Sequence, residues 1–322
     1  MKVILTGAGG FIGSCYLWQL NSMGIHDVLI VDTAREPSKY KVLNQKKYKS
    51  YLSREELLGQ FDAGQLKEYD LLVHLGACTD TTEKDIQFLT KNNLEYSQKL
   101  AQWALAHGKK FHYASSAAVY GDGQHGYSDF DIDIFRYKAL NPYAESKLAF
   151  DRWLRKEKLS TKAVGFRYFN VFGPNEYHKG EMRSMVCKAF QQIKEKGFAR
   201  LFATTRPDHP DGSELRDFVY VKDAVKMMAF FLENPAQYGI FNVGTGQARS
   251  FKDLVEAVFA ALETPPVIDY FPMPDNLRKQ YQYFTEAKMD SLRMAGYNTP
   301  FMSLEDSVAD YVQNYLAKDA TL

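Results

Sequence analysis

Tyr143 and Lys147 stand four residues apart in the stretch NPYAESK, Asn141 to Lys147. On a helix that spacing puts both side chains on one face. A free phenol titrates near ~10, but an ammonium one turn away and the positive end of a helix both favour the phenolate, so the pair can work as a proton-transfer device. The same spacing suits an ordinary amphipathic helix with a packed tyrosine and an exposed lysine, so its meaning depends on its surroundings. Asn141 is a good N-cap and Pro142 fits the first helical position, which predicts a helix starting there and running through LAFDRWLRKE.

A second set of residues suited to chemistry lies near the N-terminus. The stretch TGAGGFIG sets Gly7, Gly10 and Gly13 in a GxxGxxG turn, with Ile12 where the more usual GxGxxG has its third glycine. Glycines at these places allow a tight turn and close backbone approach, and the helix that follows aims its first amides at a pyrophosphate. Asp32 closes the apolar run DVLIVD about 20 residues on, where an acid holds the ribose of an adenine dinucleotide. That acid favours NAD, whereas Arg35, Lys39 and Arg54 could neutralise the 2′-phosphate of NADP or could be solvated surface charges, and the residues alone leave the choice open. Ser115 and Ser116 end the run KFHYASS and deliver a hydroxyl at a strand terminus.

These groups need a sheet to position them. KVILTG, DVLIVD, LLVHLG and KFHYASS are short, continuous apolar runs separated by stretches of helical period, the pattern of parallel strands covered on both faces. The reading is an α/β fold: a Rossmann-type doubly wound parallel sheet, to which AVGFRYFN and GIFNVG add strands, with a smaller C-terminal α/β substrate-binding domain. Residues 1–170, rejoined by about 216–246, form the dinucleotide domain; 171–215 and 247–322 form the other. The 322 residues carry 40 Lys and Arg against 39 Asp and Glu, so no global field draws nucleic acid or an anionic membrane. Three cysteines, Cys15, Cys78 and Cys187, lie far apart with no CxxC pair, which fits a reduced cytoplasmic protein without a structural metal. The apolar start of the chain is too soon interrupted by glycine for a signal peptide, and no run is long enough to span a membrane.

Glycine turn, strand-end serine and YxxxK, in that order, resemble the extended short-chain dehydrogenase/reductase family over nearly the whole chain. The resemblance implies Tyr143 as acid/base, Lys147 as the residue that lowers its pKa and holds the nicotinamide ribose, and Ser116 as the group that polarises the reacting oxygen. It also implies cofactor contacts from Gly7, Gly10, Phe11, Ile12 and Gly13, from Asp32, Thr33, Lys39 and Arg54, and from Leu75, Gly76, Ala77, Cys78 and Thr79. Asn92, Val171 and Lys179 complete that set. Dehydratases of the family carry an Asp-Glu pair just after the strand-end hydroxyl; Ala117 and Ala118 stand there in this chain, which disfavours elimination.

Within the family, GFRYFNVFGPNEYHKGEM, HLGACTDTTE, KNNLEYS, LRDFVYVKD and QYQYFT are similar to the branch that epimerises ADP-glycero-manno-heptose at C6″ for the lipopolysaccharide inner core. That likeness implies one NADP per subunit, Lys179 as a second acid/base, and a ring-like homo-oligomer, a pentamer. Asn170 would contact the sugar, flanked by Glu181 and Lys188. Phe202, Ala203, Thr204, Thr205, Arg216 and Tyr281 would hold the ADP. The loop from Thr204 to Leu215 is longer and richer in Pro and Asp than the branch's pattern. Three rival readings stand: a UDP-hexose 4-epimerase on the same fold, a non-catalytic NADP-binding regulator, against which the intact Tyr143 and Lys147 argue, and a structural dinucleotide fold without ligand.

Overall fold

In sequence order, strands and helices alternate through the first half of the chain: β1 Val3–Thr6, α1 Phe11–Ser22, β2 Val28–Asp32, α2 Pro37–Leu43, β3 Ser50–Ser53, α3 Arg54–Asp62 and β4 Leu71–His74. A π-helical turn, Thr90–Glu95, joins α4 Ile86–Leu89 to α5 Tyr96–Ala106, ahead of β5 Lys110–Ser116, α6 Pro142–Lys156 and β6 Ala163–Tyr168. The remainder is β7 Asn170–Phe172, α7 Met185–Lys196, β8 Ala199–Ala203, β9 Leu215–Tyr220, α8 Val221–Glu233, β10 Gly239–Val243, β11 Ala248–Ser250, α9 Phe251–Ala261, β12 Ile268–Pro272, α10 Asp290–Met294 and α11 Leu304–Tyr311. This computed structural model describes residues 1–33, 37–130, 134–206, 209–275 and 281–322. Arg35 and Gln280, both singled out in the sequence, lie outside the described residues.

Seven parallel strands form one sheet in the order β10-β6-β5-β4-β1-β2-β3. The four expected strands of the first half are β1, β2, β4 and β5, and AVGFRYFN and GIFNVG add β6 and β10. Every residue of β1, β2, β4, β6 and, after Gly239, β10 is buried, because helices cover both faces. The sheet holds one further strand. Edge strand β3, with sequence SYLS, escaped the apolar-run criterion because it is polar and half exposed. The strand order reverses between β1 and β4, so their carboxyl ends open the crevice in which such sheets bind ligands.

Two small sheets stand beyond that edge: β7 pairs parallel with β9, which pairs antiparallel with β11, and β8 pairs parallel with β12. The stretch 216–246 therefore divides. Its first residues lie in β9, within the small sheet, while α8 and β10 return to the large one, α8 packing against α1. One apolar core, running from Val3 and Leu5 to Phe259 and Tyr311, takes in residues of the large sheet and of both small ones. Among the described residues no helix is long and apolar enough to cross a membrane.

Candidate active site

The helix that carries Tyr143 begins as expected. Asn141 Oδ1 accepts the Ala144 amide at 2.8 Å and Pro142 occupies the first turn, which fixes the start of α6 beside the end of β5. Tyr143 and Lys147 are both buried, on one face of α6. Lys147 Nζ donates to the Ala114 carbonyl at 3.0 Å, and the Ser116 hydroxyl meets the Tyr143 phenol. Ser116 also caps the turn that follows β5, accepting from the Ala118 amide at 3.2 Å.

Charge in this corner departs from the sequence expectation. Burial pushes the Tyr143 phenol up; the Ser116 hydrogen bond acts in the opposite direction and the neighbouring Cys78 thiol adds to the rise. The Lys147 ammonium is turned to the Ala114 carbonyl. Burial also brings Lys147 down to about 8, opposed by Asp151 and Cys78.

Around the pair lies a cavity of about 510 Å³. Phe11 and Ile12 of α1, Leu75, Ala77 and Thr79 after β4, Ser116, Ala117 and Ala118 after β5, and Asn170 and Val171 of β7 all line it. The short helical turn Tyr177–Met182 brings Lys179 to the same wall, with Nζ 5.5 Å from the centre of the Phe11 ring. Burial lowers the Lys179 pKa and the Glu176 carboxylate opposes it. Glu176 is itself buried and bound to the Ser184 amide and hydroxyl at 2.5 and 2.6 Å, which ties the lysine's turn to the start of α7.

The glycine turn fits a dinucleotide pyrophosphate. Gly7 has φ +71°, and a Cβ on Gly13 would lie 1.9 Å from the Gly7 carbonyl, so helix and turn meet backbone to backbone. Gly10 caps α1 with no side chain over its first amides, which leaves them to a ligand. The loop after β4 is fixed from behind, with the Cys78 amide donating to Asn93 at 2.9 Å and Gly76 donating to Thr6 at 3.3 Å.

Asp32 lies at the end of β2, as expected, but its oxygens are engaged: Gly9 and Thr33 amides donate at 2.7 Å each, and Lys39 Nζ at 2.8 Å. Lys39 also reaches Thr33 Oγ1 at 2.9 Å. Ser53 is the register partner of Asp32, so Arg54 emerges at the same edge of the sheet, where it hydrogen-bonds Asn92 and lies 4.1 Å from the Tyr96 ring centre.

The expected ADP residues form a neighbouring cluster. Phe202 and Tyr281 have ring centres 6.4 Å apart, and the Arg216 guanidinium sits 5.1 Å from Tyr281 and 5.6 Å from Phe251. Phe251 in turn lines the main cavity. Arg216 is buried and has no ion pair among the described residues; burial lowers its pKa. Ala203 ends β8, the Thr204 amide is held by Asp211 at 2.7 Å, and Thr205 bonds the Tyr283 hydroxyl. Glu181 differs from expectation: its side chain is 94% exposed and pairs at 3.5 Å with Lys188, which does border the cavity. The helical turn carrying Lys179 aims that glutamate outward. Thr81, Arg183, Phe251, Gln282 and Thr285 line the cavity and were not singled out. Thr81, Gln282 and Thr285 lie within quoted stretches, whereas nothing local distinguishes Phe251, which reaches the site only because α9 packs there.

The NAD dependent epimerase/dehydratase family model matches residues 3–244. A Nitratidesulfovibrio vulgaris (strain DP4) protein named ADP-L-glycero-D-manno-heptose-6-epimerase is 49% identical over 315 residues, covering 98% of both chains. A Fusobacterium nucleatum protein of the same name is 43% identical over 328 aligned positions, again covering 98% of both. The Helicobacter pylori crystal structure of that name has TM-score 0.82 at 26% identity, covering 98% of this chain and 96% of the other. A crevice at the strand-order reversal, a backbone-only glycine turn and a Tyr-Lys pair beside a strand-end serine thus accompany likeness over the full length, and the chain belongs to the NAD dependent epimerase/dehydratase family.

Proposed function

We propose that the protein interconverts ADP-D-glycero-β-D-manno-heptose and its L-glycero epimer by transient oxidation at C6″. The observation that carries the reading is the convergence of Tyr143 on α6 and Lys179 on a separate turn upon one cavity, joined with 49% identity to a relative named for this reaction. A reductase needs one acid/base, whereas an epimerase that returns a hydride to the opposite face presents its oxygen to a second. Tyr143 would accept the hydroxyl proton as Ser116 holds the oxygen, and Lys179 would protonate the oxygen after the carbonyl turns over. A nicotinamide cofactor, when bound, would supply the reversible hydride acceptance, so that there is no net redox.

The cofactor class is a nicotinamide dinucleotide, and NADP is the proposed member. The Asp32 carboxylate already accepts from two amides and Lys39, while Lys39 and Arg54 put two cations at the edge where a 2′-phosphate would lie. Gly7, Gly10 and Gly13 would take the pyrophosphate, and Lys147 the nicotinamide ribose. The Arg216 guanidinium, which has no ion pair among the described residues, would with Phe202 and Tyr281 take the ADP diphosphate and base. In this proposal 171–215 and 247–322 bind the sugar nucleotide, β9 contributes Arg216 to it, and the chains assemble into a homo-oligomer in the cytoplasm. The test is proton NMR of an ADP-heptose epimer incubated with the protein, with mass spectrometry of the released cofactor. Appearance of the second epimer is expected; unchanged ADP-heptose beside turnover of a UDP-hexose would replace this reading.

A further inference from the structure

Asp151 follows Lys147 by one turn of α6 and Tyr143 by two, so the three share a face. It is 1% exposed and does not border the cavity. Tyr113 donates to its Oδ1 at 3.0 Å and Ser115 to its Oδ2 at 2.9 Å, while Arg167 reaches Oδ2 through Nε at 3.2 Å and Nη2 at 3.0 Å. Strand β5 is thus used residue by residue. Tyr113 and Ser115 hold Asp151, the Ala114 carbonyl holds Lys147, and Ser116 meets Tyr143. Arg167, fully buried on β6, extends the network to the Tyr120 hydroxyl at 3.2 Å, which donates to Asn242 at 2.6 Å.

We propose that Asp151 is a positioning residue which, braced by Arg167, Tyr113 and Ser115, keeps Lys147 an ammonium and holds α6 against β5 at the reacting centre. A buried ion pair is a weak source of stability compared with apolar side chains of the same volume, so its principal effect here is electrostatic. Burial already brings Lys147 to about 8 with Asp151 opposing the fall. The other groups facing Lys147 give less help: Cys78 from the loop after β4 is a thiol held above its ordinary pKa, Tyr143 is a buried phenol, and His74 of β4 is kept neutral by burial. Removing the carboxylate would release the ammonium's proton nearer neutrality, and with it the donor to a ribose hydroxyl.

The inference rests on Lys147 as the ribose-binding residue, and the experiment reads cofactor binding separately from turnover. NADP affinity is measured by titration calorimetry from pH 6 to pH 10 on the full chain, with near-UV circular dichroism confirming the fold. Wild-type affinity is expected to fall as the pH rises through about 8. Asp151→Asn alone would strand a buried guanidinium, so it is combined with Arg167→Met; that variant should show the fall about one pH unit lower, a roughly tenfold change in proton concentration. That double variant, folded and with its pH profile coincident with wild type, overturns the proposal. Shifted profiles in a protein that does not turn over ADP-heptose would retain Asp151's role and remove the substrate reading.

Discussion

At the residue scale, the two proposed acid/base groups, Tyr143 and Lys179, make different demands. Tyr143→Phe keeps the ring packed against its helix and removes only the proton-transferring oxygen. It should lower kcat by roughly a thousandfold with cofactor affinity unchanged in calorimetry; wild-type turnover of ADP-heptose would remove Tyr143 from the mechanism. Lys179→Met should instead block interconversion of the epimers while hydride exchange from one face continues, measured by deuterium transfer and product stereochemistry. Continued interconversion would return Lys179 to a phosphate partner, a role its place over Phe11 beside the glycine turn would also allow. Lys39 and Arg54 act further from the chemistry. Replacing both with alanine should cost NADP at least about tenfold in affinity while sparing NAD, since each charge-assisted hydrogen bond contributes about 1.5–3 kcal/mol. Equal losses for the two dinucleotides would make these cations surface charges.

At the element scale, the site depends on how helices begin. The start of α1 has no side-chain cap and meets β1 through glycines, so its first backbone amides are left open to the proposed dinucleotide. Gly13→Ala would drive a Cβ to within 1.9 Å of the Gly7 carbonyl, a clash that only backbone movement relieves. The expected result is a loss of about 1–3 kcal/mol in folding stability and of at least tenfold in dinucleotide affinity, read by urea denaturation and calorimetry. Wild-type values for both would show the close approach to be dispensable. The start of α6 uses the opposite device, Asn141 and Pro142 closing its amides internally, and so directs side chains rather than amides at the cavity.

At the scale of the whole molecule, Asp217 joins the sheets. From β9 of the small sheet its carboxylate accepts the Thr245 amide at 2.7 Å and hydroxyl at 2.8 Å, just beyond β10 of the large one, and also the Gly246 and Ala287 amides at 2.9 and 3.0 Å. Asp217→Asn would turn an NH2 group toward backbone amides that now donate to a carboxylate oxygen. A loss of about 3 kcal/mol in stability is expected, with a raised KM for the sugar nucleotide because Arg216 is the adjacent residue. An unchanged denaturation midpoint and KM would show that packing alone aligns the two sheets.

The sequence by itself determined the parallel sheet, since runs apolar on both faces fit only between covering helices, and it determined the glycine turn, the capped Tyr-Lys helix and the strand-end serine, since each is a local pattern. It did not determine β3, whose polar edge sequence lacks that signal, nor the outward turn of Glu181, which follows from the conformation of residues 177–182. The direction in which the Tyr143 phenol shifts was decided by tertiary structure as well: helix spacing favours the phenolate, but burial raises the pKa, with Cys78 of the loop after β4 adding to the rise and Ser116 of β5 opposing it. Phe251 reached the cavity and Arg167 reached Asp151 for the same reason. Spacing along one chain fixes which residues share a face, while burial and charge depend on what other segments pack against that face, and only the folded chain brings those segments together.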